Sequence, residues 1–224
     1  MSTNRTNNRP FVIKDCALIA LASGVRAQNL RELKDRIQTI DPASIYYHFW
    51  GGRLRARFDD PEYSNDFASW SRHALHDRRT AEHLGAIDPT GMDNIEQLRQ
   101  ELIEVIEERL DQSPLVPWAK QNQQFNFITS QAVVFTTNKL LHKPIELAKA
   151  VPAMSLGSIF YHFIDARQRT PDQTDDFREW IAGLGSNHSD LLSEIANLDP
   201  YSPTLTEIRD QLSHIFKSYF GGNL

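Results

Sequence analysis

The chain has 224 residues, 40% hydrophobic and 24% charged, with a formal net charge of −5 at pH 7. These proportions fit a globular protein of two modest domains and exclude a disordered or fibrous chain. Phe11 to Leu110 holds 13 Lys and Arg against 17 Asp and Glu, and Phe125 to Phe220 holds 8 against 11. Neither half therefore has the basic surface that binding a phosphate backbone requires, and nucleic acid is not an expected partner.

The N-terminal stretch MSTNRTNNRP, residues 1–10, is polar and reads as a tail without a secretory h-region. The most apolar window, CALIALA from Cys16 to Ala22, is far too short to span a membrane. Cys16 is the only cysteine, so neither an intramolecular disulfide nor a cysteine metal cluster can form. No membrane association is expected, and the location expected is cytoplasmic.

After the tail, FVIKDCALIALA is apolar and partly alternating, which predicts two short strands or a hairpin. Leu30, Leu33 and Ile37 then fall at helical spacing. The block SIYYHFW follows, with Ser44 as the expected N-cap and Ile45, His48 and Phe49 on one helical face. Gly51 and Gly52 are expected to kink or end that helix. Arg53, Arg55 and Arg57 form a local basic run that Asp59, Asp60 and Glu62 offset, so the run reads as a solvated helix face. DFASW opens a further helix at Asp66. The run from Asn94 to Leu110 is strongly amphipathic, with Ile95, Leu98, Leu102, Ile106 and Leu110 on one side.

The same order recurs downstream. Phe125 to Ser158 aligns without a gap with Phe11 to Ser44, pairing Glu32 with Glu146 and Leu33 with Leu147. SIFYHF at Ser158 repeats SIYYHF at Ser44, DFREW at Asp176 repeats DFASW, and LTEIRDQL at Leu205 repeats IEQLRQEL at Ile95. The chain is thus expected to be a tandem duplication of a ~100-residue unit. Repeat 1 covers 11–110, repeat 2 covers 125–220, and 221–224 form a C-terminal tail. Residues 111–124, DQSPLVPWAKQNQQ, are the linker, because Pro114 and Pro117 break helix continuation. Leu115, Val116 and Trp118 are expected to lie against one of the repeats. The predicted class is mainly α with small β-hairpins (α+β).

The shared residues suit a core. A histidine on an apolar face must satisfy its ring nitrogens, and the aspartates opening the next helices are available to do so. His48 is therefore expected to pair with Asp66 and His162 with Asp176, a backbone carbonyl being the alternative partner. Phe67 and Trp70, like Phe177 and Trp180, stand at i, i+3 and are expected to pack inward. With Phe11 and Ile13, Leu30 to Leu33, Tyr47 to Phe49 and Asp66 to Trp70, and with their counterparts in the second half, the pattern resembles an uncharacterised prokaryotic family catalogued as domain of unknown function 5752. The second half departs from it at KPIEL, where a leucine is expected. The resemblance carries over no catalytic residue.

No GxxxxGK(S/T), GxGxxG or GxSxG occurs, which removes nucleotide-loop, dinucleotide and serine-nucleophile chemistry. An enzyme would have to draw on His73, His76 and Asp77, with His48 and then Asp88 as further ligands, to hold a divalent metal as phosphohydrolases do. Against it, the second half keeps only His188 and Asp190 nearby, and Arg72, Arg78 and Arg79 would oppose a cation. The reading adopted is a non-catalytic interaction or regulatory module with a protein partner and no cofactor. A small-molecule sensor binding between the repeats is a third reading.

Overall fold

A computed structural model describes residues 9–54, 62–113, 115–170, 172–185 and 188–221. Arg55, Arg57, Asp59, Asp60 and Pro114 lie outside the described residues. The fold is mainly helical with one two-stranded antiparallel sheet. The strands are β1 (Phe11–Ala27) and β2 (Phe125–Leu141), each 17 residues long. Between and after them come α1 (Leu30–Ile37), α2 (Pro42–Trp50), α3 (Asp66–His73), α4 (Arg78–Gly85) and α5 (Ile95–Gln112), then α6 (Leu147–Ala150), α7 (Leu156–Ile159), α8 (Ala166–Arg169), α9 (Asp176–Gly183), α10 (Ser189–Ala196) and α11 (Leu205–Phe220). A π-helical stretch, Phe160–Asp165, joins α7 to α8.

The β element differs from the local hairpins that alternation predicts. Each apolar segment is one unbroken strand, and its partner is the strand of the other half of the chain. Neither FVIKDCALIALA nor FNFITSQAVVFTT contains a tight-turn pair such as Asn-Gly, so neither can fold back on itself cheaply.

The structure divides into two compact units, and the division falls inside the strands. One unit is Leu18–Gln131; the other joins the chain up to Ala17 with Ala132 onward. In the first, α1 buries Leu30, Leu33 and Ile37 and packs on α5, which buries Leu98, Leu102, Ile103 and Ile106. Burying each such side chain contributes about 1.5–3 kcal/mol. In the second, α11 buries Leu205, Ile208, Leu212, Phe216 and Phe220 and packs against α6, α7 and α10.

Helix starts are fixed by side-chain caps. Asn29, Asn65, Asp77 and Asn94 each accept a hydrogen bond from the first turn of the helix they precede, and Thr204 with Glu207 forms a reciprocal capping box. The paired glutamates have a common role: Glu32 accepts from the backbone of Gln28 at 2.9 Å and Glu146 from that of His142 at 3.0 Å, pinning the chain where it leaves each strand.

Two expectations are corrected. Ser44 and Ser158 do not cap the histidine helices, whose caps lie three residues earlier, at Asp41 and Ser155. Pro42 suits the first helical turn, so the helix begins there. Ser44 instead sits buried inside α2 and donates its hydroxyl to the Ile128 carbonyl at 2.8 Å. Among residues 111–124, Leu115 and Trp118 are 82% and 64% exposed and do not pack inward, whereas Val116 is half-buried and Ala119 is buried. The segment is held by its backbone, with the Ala119 amide donating to the Gln28 carbonyl at 2.7 Å.

Gly157, on α7, marks a close approach of strand to helix. A Cβ there would collide with the Asp15 side chain and the Cys16 carbonyl of β1. Gly157→Ala is expected to destabilise the protein by about 1–3 kcal/mol, read as a lower urea midpoint. Gly91→Ala, whose added methyl meets nothing within 4 Å, is the neutral control.

Candidate functional site

The two histidines are built into matching constellations. His48 on α2 and His162 in the π-helical stretch are both buried, at 4% and 2% exposure. His48 Nδ1 lies 2.8 Å from Asp66 Oδ2, and the Ile128 amide lies 3.1 Å from its Nε2. His162 Nδ1 lies 2.7 Å from Asp176 Oδ2, and the Lys14 amide lies 2.9 Å from its Nε2. A backbone N–H can only donate, so each Nε2 is an unprotonated acceptor and each Nδ1 carries the proton given to the carboxylate. Both imidazoles are neutral, with both nitrogens occupied.

The aromatics close around these rings. Phe125 lies 4.7 Å from His48 and 5.0 Å from Phe67, centroid to centroid, and Trp70 lies 5.6 Å from Phe125. In the other unit, Phe11 lies 4.7 Å from His162, 5.4 Å from Phe177 and 5.3 Å from Trp180. Each indole N–H finds a backbone carbonyl, Trp70 at Gln123 (2.7 Å) and Trp180 at Arg9 (2.9 Å). Phe67, Trp70 and Phe177 are buried, whereas Trp180, Asp66 and Asp176 are half-buried. The strand amide at Nε2 has no signal in sequence periodicity, because its donor lies 80 residues from His48 and 148 from His162.

The surroundings of the two carboxylates also carry charge. Arg169 donates to Asp176 at 3.1 Å, to Asp165 at 2.9 Å and to the Tyr161 carbonyl at 2.8 Å. Burial works against its charge, yet the carboxylates of Asp176 and Asp165 prevail and hold its guanidinium more firmly protonated than usual. Asp175, the α9 cap, is fully buried; it accepts from Arg178 Nε at 2.6 Å and lies 3.8 Å from Arg167. Burial pulls the Arg167 pKa below its ordinary value, with Asp175 opposing. The α3 cap is the neutral Asn65, which is equally buried and donates to the Leu84 carbonyl at 2.9 Å.

The alternative metal ligands are not brought together. His48 is engaged as above. His73 is exposed, 3.6 Å from Glu62. His76 is exposed in the left-handed region (φ 55°), and Asp77 caps α4 and pairs with Arg109 at 2.7 Å. Among the described residues no three His, Cys, Asp or Glu side chains form a group able to hold a metal. No described helix is long and apolar enough to cross a membrane.

The family of unknown function DUF5752 matches residues 8–217, nearly the whole length. The chain belongs to the DUF5752 family. Among solved structures, that of OrfY from Thermoproteus tenax is 25% identical, covering 93% of this chain and 94% of that chain with a TM-score of 0.78. A search of curated proteins returned no match.

This DUF5752 member has one further surface feature. The middle of β2 is exposed, with Val133 at 42%, Val134 at 41% and Phe135 at 50%. Successive strand residues point to opposite faces, so among the described residues β2 exposes apolar side chains on both faces there. Its sequence signal was available: from Phe125 to Asn138 the chain has no charged residue.

Cys16 is buried, and burial pushes its thiol up to about 12, the charges of Asp165 and Asp15 adding to the effect. A raised folded-state pKa favours the folded protein below the unfolded value near 9, and that contribution fades as pH rises toward 12. Urea midpoints measured from pH 8 upward are expected to fall more steeply for the native protein than for Cys16→Ser. His48→Ala and His162→Ala each strand a strand amide and a carboxylate, and are expected to lose about 1–3 kcal/mol. His76→Ala is expected to stay within about 0.5 kcal/mol of the unsubstituted protein in the same urea melts.

Proposed function

We propose that this DUF5752 chain is a non-catalytic protein-interaction module, built as a tandem duplication of repeats 11–110 and 125–220 whose leading strand segments are exchanged. Support for the duplication comes from the histidine constellation occurring twice at one offset. Phe11 and Phe125, Lys14 and Ile128, and His48 and His162 are each 114 residues apart. His48, Asp66, Phe67 and Trp70, with His162, Asp176, Phe177 and Trp180, are the structural core of the two repeats. Their imidazole nitrogens are spent on strand and helix, which favours a role in stability over chemistry.

The observation that carries the interaction reading is the uncharged, two-faced exposure of Val133, Val134 and Phe135. A two-stranded ribbon is marginal in water without packing on at least one face, and exposed apolar strand surface is characteristic of partner sites. A protein partner supplies that packing; a small ligand does not need an open strand. Replacing Phe135 with a photo-crosslinking phenylalanine derivative, in cells of the source organism, is expected to yield a protein adduct. The same probe at the exposed Glu104 of α5 should give none. Equal, background-level adducts at both positions would remove the interaction reading.

A further inference from the structure

We infer that the partner at β2 is a second copy of this chain, joined edge to edge by antiparallel pairing of the Ala132–Thr136 stretch across a two-fold axis. The inference rests on the interaction reading above and names its partner. Among the described residues β2 belongs to a sheet of two strands, so its edge away from β1 carries backbone N–H and C=O groups with no described strand beside them. Proteins usually protect such an edge with lysine, proline or a charge turned inward. Between Phe125 and Asn138 there is none of these, and the single charged residue of β2 is Lys139.

Charge complementarity selects the partner. An acidic or basic segment would leave its charges facing Val133, Val134 and Phe135 unpaired and poorly hydrated, whereas an uncharged apolar strand loses nothing. The chain itself holds such a strand. Antiparallel pairing centred on Val134 runs the two strands in opposite directions, which places the two Lys139 side chains at opposite ends of the paired stretch, and the left-handed backbone at Asn138 (φ 59°) ends regular pairing before either lysine. Parallel in-register pairing would stack Lys139 on Lys139. The antiparallel arrangement is isologous, so it closes at two copies.

Sedimentation analysis of the full chain over a range of micromolar concentrations tests this. The expected result is a monomer–dimer equilibrium that Val134→Lys weakens by about tenfold or more without changing the thermal midpoint. Amide exchange of peptides covering residues 132–136 in the unsubstituted protein is expected to slow as concentration rises; this readout also decides the matter if Val134→Lys fails to fold. A monomer at every concentration with concentration-independent exchange overturns the inference, as does a dimer whose exchange at 132–136 is unchanged. A monomer that still crosslinks through position 135 to a different protein overturns self-pairing alone. A monomer with no specific adduct overturns the interaction reading as well.

Discussion

The structure depends on a neutral imidazole held between a strand and a helix start. His48 takes the Ile128 amide at Nε2 and gives its Nδ1 proton to Asp66; His162 does the same with Lys14 and Asp176. The arrangement solves two problems at once. A strand end lying on helices leaves an amide without a sheet partner, and a buried ring must satisfy two nitrogens. Each problem is the other's solution, and the flanking phenylalanines exclude the water that would otherwise compete.

This bridge explains where the chain divides. Phe11 and Lys14 are committed to the unit containing His162, and Phe125 and Ile128 to the unit containing His48. Each strand is anchored at its N-terminal end to one helical set and leads directly into the other, α1 after β1 and α6 after β2. Gly157 and Ser44 serve the same strand-to-helix docking by different means. The glycine offers space for Asp15 and Cys16, while the serine offers a donor for the Ile128 carbonyl. The middle of each strand exposes Ile19 and Leu21 in β1 and Val133, Val134 and Phe135 in β2.

The helix caps beside the two constellations differ in charge. Asn65 caps α3 as a neutral amide, whereas Asp175 caps α9 as a buried carboxylate with Arg178 and Arg167 close by. A buried carboxylate is tolerable only with such partners, and losing one of them leaves an uncompensated charge. Arg169 adds a further cation at Asp176 and stacks over Tyr161 at 4.0 Å.

Local features of the sequence determined much of this molecule. The spacing of Leu30, Leu33 and Ile37 and of Leu98, Leu102 and Ile106 marked buried helix faces, because a 3.6-residue period is imposed by the backbone itself. The histidines and the aspartates of DFASW and DFREW were legible as pairs, since each imidazole needs a partner and the carboxylates sit nearby in sequence. The helices that start at Pro42 and Leu156 were expected three residues later, because Asp41 and Ser155 compete with Ser44 and Ser158 as caps, and only packing decides between them. Tertiary structure alone decided that β1 and β2 pair with each other, that Lys14 and Ile128 complete the histidine sites, and that Trp118 faces solvent. The alternation of a strand says which residues share a face but not which strand lies alongside; that choice is made by the aromatic pockets at its ends, more than a hundred residues away for Phe11.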